Sequence, residues 1–272
     1  MNRFLKRRCL GSSLTAVAIA ILVLATWVTK QRLGHAAFLT GGTTLACVFL
    51  LILIGLRRRV PMLPLLSMST WVQIHVYTGW FVLAAYCLHV PRLFVSGMFE
   101  GGLATLFWGC MGSGFYGLYA SRRLPRKLSA VGNNEVRFEQ IGWQRHAIAE
   151  AADALLQELK ATPAAVVLAD FYRASLQPFF LGRPSAAYVA IPNGTRRRRL
   201  LNRLGDLDRY LEDQTRQTAN RYAALVRLRD DLDYQYALQF RMRVWLIVHA
   251  ALSIGLLTWG CLHALLAIRF SG

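Results

Sequence analysis

Two apolar stretches of this chain each begin and end on a histidine, and the step between the two histidines is the same in both. One runs from His75 to His89, HVYTGWFVLAAYCLH; the other runs from His249 to His263, HAALSIGLLTWGCLH. On an α-helix a step of 14 residues is roughly 21 Å and about 3.9 turns, so both histidines of a stretch fall on nearly one face. Each stretch, with its flanks, is long and apolar enough to be read as a membrane span. Histidine is costly in hydrocarbon, which makes an intramembrane imidazole a candidate for function. A lone histidine there reads most simply as a polar residue tucked between helices. Here four of the six histidines fall into two identically spaced pairs, and that weighs against the simple reading.

Neutral imidazole is the commonest metal ligand. Two neighbouring helices with two imidazoles each, at matching heights, offer two ligand pairs stacked along the membrane normal. The paired i, i+14 histidines resemble those of the di-haem b-type cytochromes: the cytochrome b of quinol-oxidising complexes and the ferric reductase/NADPH oxidase membrane domains. The resemblance covers the membrane helices only, with most weight on about thirty residues, and it concerns cofactor ligation rather than substrate or partner. It implies two haem b groups, each iron held by one histidine from each stretch, with His75, His89, His249 and His263 as the metal ligands and the irons roughly 20 Å apart.

Composition agrees with a membrane protein: 55% of the residues are hydrophobic. Lys and Arg number 32 against 14 Asp and Glu, a formal net charge of +18. Such an excess suits a nucleic-acid binder, but in a multispan chain the enrichment of cytoplasmic loops in Lys and Arg accounts for it first. The five cysteines form no CxxC or CxxCH motif, so neither a c-type haem nor an iron–sulfur cluster is signalled. All but Cys9 lie in apolar stretches and read as small packing residues.

In chain order, Arg3, Lys6, Arg7 and Arg8 precede an apolar run over residues 10–29. A secretory signal begins this way, but the run is long and lacks a clean A-x-A site, so an uncleaved first span is expected. A second span is expected near 36–56, stopped by Arg57–Arg59. A proline-containing loop follows, with Ser69 or Thr70 as the cap of a third span over about 71–90. A fourth lies near 102–119, and a fifth near 244–268. The predicted fold is all-α: a transmembrane helical bundle of five spans, with a helical cytoplasmic segment between spans four and five. The divisions are 1–120, 121–243 and 244–272. With the N-terminus inside, Arg57–Arg59, the Arg122–Lys127 cluster and the whole hydrophilic segment also lie inside. Only Lys30, Arg32, Arg92 and Arg269 then fall outside, in keeping with the positive-inside rule. That topology makes the third and fifth spans parallel. It pairs His75 with His249 near the inner face and His89 with His263 near the outer face. Ligands on those two spans resemble the ferric reductase group in particular.

Supporting residues carry two readings each. Gly79, one turn after His75, and Gly255 and Gly260, between the second pair, either admit a flat macrocycle or simply let helices approach. Gly109, Gly112, Gly114 and Gly117 read as a helix-packing stripe. Arg92, just beyond His89, and Arg241 and Arg243, before His249, either meet haem propionates or anchor the helices at the interface. Trp71, Trp80, Trp245 and Trp259 are either belt residues or haem neighbours. His35 and His146 read as solvated.

The hydrophilic segment shows helical spacing over 136–160 (Ile141, Ile148, Ala152, Leu155, Leu156, Leu159) and a second helix from Pro163 through Phe180. A turn-rich piece follows, and from Gln214 to Phe270 no proline interrupts one long helix. The charges in RLRDDLDYQYALQFRMR suit a solvated or partner-facing surface. Arg196–Arg199 reads as facing lipid or a partner rather than nucleic acid. No GxGxxG motif, P-loop or defensible catalytic triad occurs.

The ferric reductase group continues into a flavin and NADPH domain, whereas this sequence stops at Gly272. The expectation is therefore an electron-carrying membrane subunit of a larger oxidoreductase complex, such as one of a respiratory chain, in a bacterial inner membrane. Its partners would be lipid, other redox subunits (a cytochrome or an iron–sulfur protein) and a quinone. A quinone- or metal-reductase subunit with an external donor is the first alternative, and a histidine-based proton channel or transporter without haem is another. A membrane scaffold with incidental histidines is the third.

Overall fold

The structure, a computed structural model, describes residues 3–32, 34–59, 67–90, 97–129, 136–159 and 162–270. All regular structure among the described residues is helical. Four long helices come first: α1 (Arg3–Gln31), α2 (Ala36–Arg59), α3 (Met68–His89) and α4 (Met98–Ser129). Next are α5 (Phe138–Gln157), α6 (Pro163–Phe171), a π-helical turn (Tyr172–Leu176) and the short helices α7 (Gln177–Leu181) and α8 (Ala186–Ala190). Then come α9 (Thr195–Leu207), a 3₁₀ turn (Asp208–Tyr210) and α10 (Asp213–Phe270). The proline-free stretch is thus one helix of 58 residues.

Among the described residues, three helices are long and apolar enough to cross a membrane: α1, α2 and α10. With 22 and 32 residues, α3 and α4 have the length but not the composition. Gln73, His75 and His89 in α3, and the glycines, serine and terminal basic residues of α4, dilute their apolar content. The five-span expectation is therefore met on composition for three helices.

The chain forms two compact units: Met1–Tyr116 with Ile247–Gly272, and Gly117–Leu246. In the first unit, α3 packs closely along α1 and α2. Its N-terminus is capped by Ser67, whose hydroxyl accepts the Thr70 backbone N–H at 3.3 Å. The helix therefore starts earlier than the expected cap at Ser69 or Thr70. The core joins four helices: Val48 of α2, Val82 and Tyr86 of α3 and Phe107 of α4 are buried, with Leu256 and Leu257 of α10 against them. Tyr86 stacks on Phe107 with ring centroids 3.7 Å apart.

Outside that core the polarity of a soluble protein is inverted. Leu10, Leu14, Ile21, Leu24, Ile247, Ile254, Leu265 and Ile268 are all about 60% exposed or more. Hydroxyls within these helices bond to their own backbone, as Thr15 does to Gly11 O and Thr29 to Ala25 O. That arrangement keeps polar groups satisfied where no water is present.

The second unit has a conventional core. Ile141, Ile148 and Ala152 of α5 meet Leu168, Tyr172, Leu176, Phe179 and Phe180, together with Leu200, Leu204, Tyr222, Val226 and Leu232. These include the inward residues expected from the spacing of α5. The charges of α10 depart from expectation: Arg229 is 0% exposed, and Asp230 and Asp233 are buried rather than solvated. The reason is local satisfaction. Arg229 donates to Gly182 O at 2.7 Å and pairs with Asp233, which also pairs with Arg145. Arg145 donates to the same Gly182 carbonyl at 2.7 Å. Burial pushes the Asp230 carboxyl above the usual range, opposed by Arg197.

Candidate functional site

The first unit brings the four sequence-predicted histidines together in the predicted pairs. Ring centroids of His75 and His249 lie 6.2 Å apart, with planes at 69°. Those of His89 and His263 lie 6.3 Å apart, with planes at 79°. All four imidazoles are half-buried. Continuous helix joins His75 to His89 in α3 and His249 to His263 in α10, so the two pairs are separated by the rise of fourteen helical residues, roughly 21 Å. Among the described residues α3 makes close backbone contact with α1 and α2, whereas α3 and α10 meet chiefly through side chains.

The spacing can be compared with what one metal ion needs. A metal–imidazole bond of about 2.0–2.1 Å, plus about 1.1 Å from ring nitrogen to ring centre, places two trans imidazole centroids about 6.2–6.4 Å apart. Both pairs have that span. Each pair offers two nitrogen donors, and among the described residues no group of three or more His, Cys, Asp and Glu could hold an ion.

Neighbouring helices hold the rings. Thr40 of α2, 1% exposed, places its Oγ1 3.1 Å from His89 Nδ1. Ser113 of α4 places its Oγ 2.7 Å from His249 Nδ1. A glycine follows each hydroxyl residue. A Cβ on Gly41 would lie 2.9 Å from His89 Cε1, so only glycine lets α2 approach that ring without displacing it; a Cβ on Gly114 would lie 3.7 Å from His249 Cε1. Phe99 stacks on His263 at 6.2 Å. Sequence reasoning passed over Thr40, Gly41 and Ser113, and took Gly114 only as part of a packing stripe. The available signal was a hydroxyl residue followed by glycine in each of two helices that carry no paired histidine.

The supporting residues divide. A Cβ on Gly79 would meet nothing within 4 Å, so open space lies beside it. Gly255 and Gly260 instead receive Leu106 and Leu45, each at 3.5 Å from a built Cβ, and Gly109 receives Leu252 at 3.6 Å. These three serve helix packing. Arg243, in the second unit, pairs with Glu139 and lies over the Phe138 ring at 4.2 Å, and that pairing holds the Glu139 carboxyl below its ordinary range. Arg92 lies outside the described residues. His146 is exposed and paired with Glu150, and His35 is exposed beside Phe38, both as expected of solvated histidines.

A cavity of about 600 Å³ opens between α1, α2 and α3. Its lining includes Arg7, Thr70, Gln73, Ile74, Tyr77 and Cys47. Ile74 adjoins His75 in the chain.

No family profile, curated protein or solved structure matches the chain.

Proposed function

We propose that this protein is a five-span membrane cytochrome b that holds two haem b groups and passes electrons across the bilayer as a subunit of a larger redox complex. The observation that carries the reading is the pair of centroid distances, 6.2 and 6.3 Å. In both pairs the centroid distance matches that of two imidazoles that would share one metal ion. His75 and His249 would ligate the inner haem, and His89 and His263 the outer one. Haem supplies reversible one-electron chemistry at iron. The chain's own residues orient the imidazoles, exclude water and tune the potential through burial and hydrogen bonds to the ligands. The open space beside Gly79 supports room for a flat group next to the inner pair. The exposed apolar belt supports an integral membrane location. The basic clusters at the span ends, Arg57–Arg59 and Arg122–Lys127, favour the cytoplasmic side, as in a bacterial inner membrane.

A second reading is a quinone-linked reductase subunit. It draws on the cavity between α1, α2 and α3, with polar Gln73 and Tyr77 among apolar neighbours and close in the chain to His75.

The test is spectroscopic. Protein purified in mild detergent should show a reduced-minus-oxidised b-type α-band, with two haems per chain by extraction. His75→Ala or His263→Ala should each remove about half of the haem, one ligand pair of two being broken. A colourless wild-type protein, or a band indifferent to all four histidines, would overturn the reading and leave a proton pathway as its successor.

A further inference from the structure

The two hydroxyls beside the histidines each have a backbone carbonyl of their own helix within hydrogen-bond reach as well. Thr40 Oγ1 donates to Ala36 O at 3.0 Å and lies 3.3 Å from Ala37 O. Ser113 Oγ donates to Cys110 O at 2.8 Å. A hydroxyl carries one proton and two lone pairs. With the proton on a backbone carbonyl, the oxygen can only accept from the neighbouring imidazole. In that arrangement the proton of His89 sits on Nδ1, facing Thr40 at 3.1 Å, and that of His249 on Nδ1, facing Ser113 at 2.7 Å. The lone pair of each ring is left on Nε2.

We infer that Thr40 and Ser113 are a positioning device used twice. In each case the hydroxyl fixes the tautomer of one histidine per pair; at Gly41 the missing Cβ also admits the His89 ring, whereas a Cβ at Gly114 would lie at an ordinary contact distance from His249. The device sits on α2 and α4, the two helices that flank the ligand-bearing α3 and α10. It acts on His89 in one pair and on His249 in the other. The geometry stands without a cofactor; its consequence for redox chemistry rests on the di-haem reading. A hydrogen bond donated from Nδ1 raises the basicity of the ligand nitrogen and so favours the oxidised metal. Its loss raises the potential. Because Thr40 touches His89 and Ser113 touches His249, each substitution should act on one pair alone.

Two measurements on the full chain test this. The first is ¹⁵N NMR of histidine-labelled, haem-free protein in bilayers. Wild type should show Nδ1–H tautomers for His89 and His249, with Thr40→Val and Ser113→Ala each removing one of those signatures. The second is redox titration of the haem-loaded protein. Thr40→Val should raise one midpoint potential, with a shift on the order of tenfold in the redox equilibrium, about 59 mV for one electron. Ser113→Ala should raise the other. Thr40→Ser and Ser113→Thr should restore wild-type values. Nε2–H tautomers at His89 and His249 would overturn the inference, as would two bound haems whose potentials ignore both substitutions or move together. Wild-type protein without haem would sink the cytochrome reading while leaving the NMR result to decide the positioning role.

Discussion

At the scale of single residues, two adjacent glycines in α2 should behave differently. Gly41 and Gly42 share a helix, and alanine improves helix propensity at both, by about 0.8–1.0 kcal/mol in exposed interiors. They differ in surroundings: a Cβ on Gly41 runs into the His89 ring at 2.9 Å, whereas a Cβ on Gly42 meets nothing within 4 Å. Gly41→Ala should therefore displace the imidazole and lower haem content toward one per chain. Gly42→Ala should leave the spectrum unchanged, and pyridine haemochrome assay of both variants compares them directly. The four histidines were legible in the sequence because a repeated spacing survives without coordinates. Their hydroxyl partners were not, because Thr40 and Ser113 lie 49 and 136 residues away from the rings they touch. Nothing local marks such contacts.

At the scale of elements, α10 carries its buried charges in the second unit as a closed arrangement. Asp233 serves both Arg229 and Arg145, and Gly182 O accepts from both guanidiniums. Removing the carboxylate leaves two cations, one fully buried, with backbone carbonyls as hydrogen-bond acceptors: Gly182 O for both and Phe180 O for Arg229. Asp233→Asn should cost about 3–5 kcal/mol of local stability, as broken buried pairs do. Faster hydrogen exchange over residues 136–159 and 213–246 would report it. Asp170→Asn, at a pair whose side chains are 63% and 70% exposed, should cost no more than about 0.5 kcal/mol. The long helix itself was legible from the absence of proline and the spacing of apolar residues. The burial of Arg229, Asp230 and Asp233 was not, because a run of alternating charges reads the same on a solvated face as it does around an internal ion pair.

At the scale of the whole molecule, the number of crossings is the open quantity that function depends on. Both a three-span and a five-span arrangement put the C-terminal end outside when the N-terminus is inside, so a C-terminal reporter does not distinguish them. A reporter inserted within residues 91–96 does. If α3 and α4 cross the bilayer, this segment lies outside and a phosphatase inserted there is active; if they do not, the segment stays inside and the phosphatase is silent. The five-span reading expects activity. Helices rich in glycine, tyrosine and histidine lie near the limit of what a hydropathy criterion separates. For that reason the sequence and the fold agree on helices yet differ on how many are apolar enough to span.

The placement of the two imidazole pairs along their helices carries a consequence of its own. His89 is the last residue of α3, and Thr40 lies in the opening turns of α2. His75 and His249 sit well inside theirs. Helix termini open locally before helix centres do. On warming, the His89–His263 pair should thus separate while the His75–His249 pair still holds.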